Sequence, residues 1–197
     1  RIKARRLRGI FSMGLLTPIE PGFVEGQDVR EALRIAKWEP PLPPLAEGED
    51  EADPGVMPAY TDIEGLRRWP DILRPGEEVV ATEKVHGANG RFVYAEGRLW
   101  VGSRTRIKRE SDGSLWWRAA RQNDLEAKLR ERPGLVLYGE VYGAVQDLRY
   151  GTRPNEVRLI LFDALDTRRR SYLDYDDFVA VAGELGLPVV PLLYRGP

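Results

Sequence analysis

Within nine residues, Thr82-Glu83-Lys84-Val85-His86-Gly87-Ala88-Asn89-Gly90 gathers a lysine, an acid, the chain's one histidine and an amide side chain. Apolar or strand-forming runs flank it, Val79-Val80-Ala81 before and Arg91-Phe92-Val93-Tyr94 after. Two β-rich runs around Gly-Ala-Asn-Gly predict a hairpin-like turn. Lys84 then ends a strand beside glycines that let a ligand's phosphates approach the backbone. A lysine in such a place can bind phosphate as a cation or, when neutral, attack phosphorus. Attack requires a site that favours the uncharged amine through desolvation or a nearby cation, because the reference pKa of a lysine is about 10.4. Lys-x-x-Gly also describes an ordinary solvated lysine, so the wider sequence has to decide.

The wider sequence is more specific. Glu83-Lys84-Val85-His86-Gly87-Ala88-Asn89-Gly90 resembles the nucleotide-accepting motif of ATP-dependent RNA ligases of the nick-sealing branch, where Lys-x-His-Gly-x-Asn surrounds the lysine that takes AMP. Val101-Gly102-Ser103-Arg104-Thr105 resembles that family's second motif, and Leu137-Tyr138-Gly139-Glu140-Val141-Tyr142-Gly143 its third. Leu159-Ile160-Leu161-Phe162-Asp163 is similar to the aromatic-bearing strand that follows. The stretches come in the family's order and span roughly residues 59 to 193. The family's Glu-containing strand and final Lys-x-Lys strand have no counterpart before Pro197, and the chain opens on Arg1, so a piece of a longer protein is expected, with a processed start the plainer alternative for Arg1.

By this resemblance Lys84 attacks the α-phosphate of ATP, releases pyrophosphate and carries AMP as a phosphoramidate. The AMP passes to an RNA 5′-phosphate, and a 3′-hydroxyl displaces it to seal the strand. Each step is an in-line displacement at phosphorus, in which positioning and charge neutralisation carry most of the catalysis. The resemblance implies ATP with Mg²⁺ or Mn²⁺ as cofactors and RNA ends as partners, above all a nicked duplex with an RNA 3′-hydroxyl strand. It implies catalytic roles for Lys84, His86 and Glu140, and a metal contact at Glu140. The implied nucleotide contacts are Glu83, Lys84, Val85, Asn89, Arg104, Glu140 and Phe162.

The residue types suit those roles. Beside Lys84, the Glu83 carboxylate or a backbone carbonyl can accept from adenine N6, and a backbone amide can donate to N1. Asn89 and Arg104 are donors suited to ribose and phosphate oxygens, arginine's planar fork especially. Glu140 is an acid in an apolar run, and a buried acid needs partners. Ribose hydroxyls, Lys84 or metal-bound waters would serve; a structural ion pair is the plainer alternative. Phe162 would lie against the adenine face, although an aromatic in a strand is also ordinary core. His86 would assist the later steps, and it stands where some related enzymes carry an aspartate that touches a metal-bound water. Asp163 is read as the start of a turn. Arg104, Arg106, Lys108 and Arg109 form either a wall for RNA phosphates or a solvated strand end, with Arg149 and Arg153 weaker candidates of the same kind.

Composition bounds the alternatives. The 197 residues are 42% hydrophobic, enough to bury a core, and carry a formal charge of -1. Nucleic-acid contact must therefore come from a local patch. The absence of cysteine excludes disulfides, thiolate zinc sites and cysteine nucleophiles, and a single histidine excludes a multi-histidine metal site. No apolar run approaches the roughly 20 residues of a membrane span and no signal-peptide pattern is visible, so a soluble protein of the cytoplasm is expected; a monomer is the separate expectation for its assembly. A nucleotide- or RNA-binding module without sealing activity is the reading from another class. A DNA ligase or an mRNA-capping nucleotidyltransferase would share Lys-x-x-Gly, but both more often carry aspartate where His86 stands.

The elements that must position these residues follow from pattern. The expected fold is α+β, a nucleotidyltransferase (adenylyltransferase) domain of ATP-grasp-like antiparallel sheets with flanking helices, preceded by the tail of an OB-type module. Residues 1–58 are assigned to that tail and a linker, residues 59–197 to the nucleotidyltransferase domain. Leu7 to Pro18 resembles the junction after an amino-terminal OB module in one bacterial RNA-ligase group, and five of the first eight residues are basic. Residues 28–38 predict a short helix behind Asp28. Glu39 to Gly55 holds five prolines, six acids and no base, which predicts a flexible acidic linker. A short helical approach over 63–73 is broken at Pro70. Strands are expected over 91–96, 99–103, 135–141, 157–165 and 188–193. Helices are expected from Ser114 to about Glu131, with Trp117, Ala120, the Arg121 stem, Leu125 and Leu129 inward, and over 174–185.

Overall fold

The computed structural model describes residues 6–7, 10–11, 22–29, 31–34, 49–61, 63–143, 145 and 148–197. By packing, the chain divides into two compact units, Arg1–Pro43 and Pro44–Pro197. In the first, β1 (Arg6–Leu7) and β2 (Ile10–Phe11) pair antiparallel. Of the helix expected over 28–38, the Leu33 amide donates to the Val29 carbonyl at 2.9 Å, and Arg34 with φ of 52° closes that turn. Residues 35–38, the side chains of the basic opening residues and residues 12–18 of the expected module junction lie outside the described residues.

The second unit is built on a seven-stranded sheet in the order β10-β9-β8-β5-β6-β7-β3. Its strands are β3 (Asp50–Glu51), β5 (Ala88–Ala95), β6 (Arg98–Ser103), β7 (Ile107–Lys108), β8 (Leu135–Gly143), β9 (Val157–Asp166) and β10 (Ser171–Tyr172). All their pairings are antiparallel. Strand alternation sends Phe92 to one face and Arg91 and Val93 to the other. On the Phe92 face pack α1 (Leu115–Gln122), α2 (Leu125–Arg130) and α3 (Tyr175–Glu184), around Trp117, Leu125, Leu129, Leu137 and Phe178. The other face carries a smaller cluster of Met57, Val93, Trp100, Ile107, Val136, Tyr138 and Leu165. The α+β fold with mostly antiparallel strands is as expected.

Several elements differ from the sequence expectation. The helix expected from Ser114 to Glu131 starts where expected, with the Ser114 hydroxyl accepting the Trp117 amide, but is two helices. Asp124 adopts a left-handed φ of 52°, and the Asn123 side chain caps the Ala119 carbonyl at 2.9 Å. Arg121 does not lie inward. Its guanidinium reaches out to Glu110 and Asp112, since two nearby carboxylates outweigh the burial of its stem. Over 63–73 only Leu66–Arg68 is helical, as a single 3₁₀ turn.

The end of the acidic stretch is not a flexible linker. Asp50 is buried and takes the Lys108 ammonium at 2.6 Å, and Met57 is 1% exposed in the smaller cluster. One ion pair and one apolar anchor thus dock a segment whose composition alone argues against burial. The expected hairpin around Lys84 is also absent. β4 (Val79–Thr82) pairs not with β5 but with β11 (Leu192–Gly196), in a separate two-stranded sheet. Among the described residues no helix is long and apolar enough to cross a membrane.

Candidate active site

Since β4 and β5 belong to different sheets, residues 83–87 form a crossing between them, and Lys84 sits on that crossing. Both ends of the crossing are fixed by hydrogen bonds that its backbone amides donate. The Glu83 amide donates to the Pro191 carbonyl at 2.9 Å. Just upstream, the Leu161 amide donates to Pro188 and the Val190 amide to Leu161, each at 2.8 Å. One short stretch, Pro188–Pro191, therefore positions both the residue before Lys84 and the residue before Phe162.

At the other end, the Gly87 amide donates to Glu140 Oε1 at 2.8 Å. A Cβ on Gly87 would run into the Val141 carbonyl oxygen, so only glycine lets the crossing pass this close to β8. The His86 amide donates to the Tyr150 hydroxyl at 2.8 Å.

Around the crossing lies a cavity of about 850 Å³. Glu83, Lys84, Val85, Asn89, Arg104, Glu140 and Phe162, all the sequence-expected nucleotide contacts, line it together. His86 is not on its wall; its side chain is exposed to solvent. Asn89 and Glu140 face each other across the β5–β8 pairing. The Asn89 carbonyl accepts the Trp116 indole N–H at 2.9 Å, whereas its side-chain Oδ1 is buried with no hydrogen-bond partner among the described residues. A buried acceptor left open at a cavity is a place for a ligand donor.

Burial raises the Glu140 carboxyl above its ordinary range; the Gly87 N–H, then Lys84 and His86, pull it partly back. A half-buried acid beside a lysine can accept from a ligand hydroxyl or from cation-bound water. Asp163 does not start a turn as expected. It lies within β9, its carboxyl also raised by burial, and accepts the Tyr60 hydroxyl at 2.8 Å. Among the described residues no group of three or more His, Asp or Glu could hold a metal ion. A divalent cation here would rest on Glu140, with substrate phosphates and water completing its shell.

The basic cluster does not form a continuous wall. Lys108 is 9% exposed and tied to Asp50, and Arg106 lies 3.7 Å from the same carboxylate. Arg104 reaches the cavity, while Arg109 is exposed. Sequence reasoning missed Tyr60, Thr61, Ile63, Glu64 and Gly65, which form another part of the cavity wall. They follow the acidic, proline-rich stretch and carry no motif signal; the anchoring of Met57 and the contacts of Tyr60 and Thr61 with Asp163 and Tyr172 bring them here.

A family model described as RNA ligase matches residues 77–197, more than half of the chain. The chain belongs to the RNA ligase family. Every cavity residue from Thr82 onward lies inside the match, and Tyr60 to Gly65 precede it. Among solved structures, the chain is similar to a Naegleria gruberi RNA ligase with pyrophosphate, at 28% identity and a TM-score of 0.68, over 99% of this chain and 61% of that one. A mutant of that ligase with ATP and manganese is similar at 27% identity and a TM-score of 0.68, over 98% and 61%. A mutant with AMP and manganese gives 27% and 0.65, over 99% and 62%. The chain thus spans about three fifths of the length of these ligases. No curated protein matches it.

Proposed function

We propose that this chain is the nucleotide-accepting part of an ATP-dependent RNA ligase, and that Lys84 is the residue that becomes adenylylated. The observation that carries the reading is the convergence on one cavity of a lysine at a sheet crossing, a half-buried acid, an asparagine, an arginine and an aromatic, drawn from separate strands and loops. Their order in the chain and the RNA ligase family match support it. So do the similar ligases with ATP and manganese and with AMP and manganese.

In this reading Lys84 Nζ, once neutral, attacks the α-phosphorus of ATP in line. An N–P bond forms, the bond to the bridging oxygen breaks, and pyrophosphate leaves with its electron pair. Phe162 offers its ring to the adenine, with Glu83 and the Val85 backbone reading the base edge. Asn89 Oδ1 and Glu140 are acceptors for ribose hydroxyls, and Arg104 meets phosphate oxygens. A divalent cation, when bound, neutralises the triphosphate and the leaving group. AMP then moves from Lys84 to an RNA 5′-phosphate, and a 3′-hydroxyl displaces it, with His86, solvent-exposed on the crossing, assisting those later steps.

The natural partner in this reading is a nicked duplex whose 3′-hydroxyl strand is RNA, met by a monomer in the cytoplasm. Residues 1–58 would be the tail of an OB-type module with its linker, and residues 59–197 the nucleotidyltransferase domain. The test is sealing of a labelled nicked duplex by the natural protein with ATP and Mg²⁺, using RNA or DNA on the 3′-hydroxyl side. Sealing of the RNA-ended nick supports the reading; ATP-dependent sealing confined to the DNA-ended nick would refute it.

A further inference from the structure

Tyr60 precedes the residues that carry the RNA ligase match, yet it touches the residue expected to carry the base. Its ring meets Phe162 edge-on, with 5.0 Å between centroids and 73° between planes. Its hydroxyl donates to Asp163 Oδ2 at 2.8 Å, and Asp163 Oδ1 accepts the Ala164 amide at 2.8 Å. One phenol thus engages two consecutive residues of a strand, which in a regular pleat point to opposite faces.

The pairing of β8 with β9 accounts for this. Tyr138 stands opposite Asp163, and the next residue, Gly139, stands opposite Leu161, so Phe162 is an extra residue on β9. Such a bulge bends the strand and re-aims side chains. Here it brings Phe162 and Asp163 to Tyr60 together.

Tyr60 is in turn held by its own surroundings. The rings of Tyr138 and Tyr172 lie 4.9 and 5.5 Å from it. The Tyr138 hydroxyl donates to the Pro58 carbonyl at 3.0 Å, and the Thr61 amide donates to the Tyr172 hydroxyl at 3.3 Å. Beyond Thr61, Ile63, Glu64 and Gly65 continue the cavity wall.

We propose that Tyr60 is a positioning residue for the nucleotide base: tethered by Asp163, it fixes the ring plane of Phe162 and the adjoining wall, so that the base meets a preset platform. The inference rests on the reading of the cavity as an ATP site. An edge-on neighbour limits rotation of the Phe162 ring, and a ring already in place spares the ordering cost on binding. The tether acts through Phe162, so its loss weakens nucleotide binding and leaves the displacement at phosphorus, which occurs at Lys84, nearly untouched.

The test measures the half-saturating ATP concentration and the maximal rate of protein adenylylation for the natural protein and for Tyr60→Phe, Asp163→Ala, Asp163→Asn and the Tyr60→Phe/Asp163→Ala pair. Tyr60→Phe and Asp163→Ala should each raise the half-saturating concentration about 2- to 10-fold, the worth of one hydrogen bond, with the maximal rate within about twofold. The double variant should be no worse than either single one, because both remove the same tether. Asp163→Asn should stay near the natural value, since its Oδ1 can accept the Ala164 amide while its Nδ2 donates to the Tyr60 oxygen. Normal adenylylation with an unchanged half-saturating concentration in Tyr60→Phe, or effects that multiply in the double variant, would overturn the inference alone. A natural protein that takes no AMP from ATP would overturn the cavity reading and the inference with it.

Discussion

The Glu140 carboxylate accepts the Gly87 amide at 2.8 Å, joining the acid of β8 to the backbone three residues beyond Lys84. The bond places a half-buried charge beside the crossing between the two sheets. It also makes the position of the Lys84 segment depend on β8.

Glu140 should make stability depend on pH in a definite sense. Burial raises its pKa above the ordinary carboxylate value, so the folded state disfavours the charged form. The cost is absent below the ordinary carboxylate range and grows as pH rises through the shifted pKa. Glu140→Gln keeps an acceptor for Gly87 and removes the charge. Its melting temperature, relative to that of the natural protein, should therefore be higher at neutral pH than in acid, while adenylylation falls by at least about tenfold for want of the charged acceptor. A melting difference that shrinks toward neutrality would contradict the sign.

Gly87→Ala tests the close passage over β8. The added Cβ meets the Val141 carbonyl oxygen, a backbone atom that cannot step aside. Overpacking of this kind costs about 1–3 kcal/mol. The urea midpoint should drop, and adenylylation should fall more than stability alone explains, since the crossing carrying Lys84 has to shift. Normal adenylylation in a folded Gly87→Ala protein would show that the passage is not needed.

Arg91 is a cation at 1% exposure, donating through Nε to the Ser103 carbonyl at 2.6 Å and through Nη1 to the Met57 carbonyl at 2.7 Å. It ties β5 to the segment that leads to Tyr60. Arg91→Met retains much of the volume and leaves both carbonyls without their donor, at about 1–3 kcal/mol each. The expected result is a clear loss in chemical denaturation, with proteolysis beginning near residues 49–61. Natural stability in this variant would mean that Met57 anchors the segment without help.

ATP should be preferred over GTP by at least about tenfold, because a base edge that mismatches loses hydrogen bonds and leaves buried groups unpaired. The Glu83 amide is already engaged with Pro191, so the donor to the base has to come from further along, as a Val85 backbone contact would supply. Equal labelling by the two nucleotides would count against this base reading.

Seven of the cavity-lining residues were legible in the sequence because they fall in short contiguous stretches that resemble RNA ligase motifs. Glu140 in its apolar run and Asn89 beside its glycines are examples, and the cavity gathers all seven expected nucleotide contacts. What was not legible depends on long-range pairing. Nothing local says that β4 takes β11 rather than β5, and so the crossing was read as a hairpin. The partner of Lys108 is Asp50, 58 residues away, which turned an apparent phosphate wall into a buried ion pair. The bulge at Phe162 and the recruitment of Tyr60, 103 residues from Asp163, leave no periodic trace at all.

The central claim is that Lys84 takes AMP. It is tested most directly by incubating the natural protein and its Lys84→Ala variant with Mg²⁺ and ATP labelled at the α-phosphate, then mapping the adduct by mass spectrometry. The account predicts one labelled peptide, containing Lys84, and no labelling of the variant. Undiminished labelling of Lys84→Ala, or an adduct on another residue of the natural protein, would contradict it.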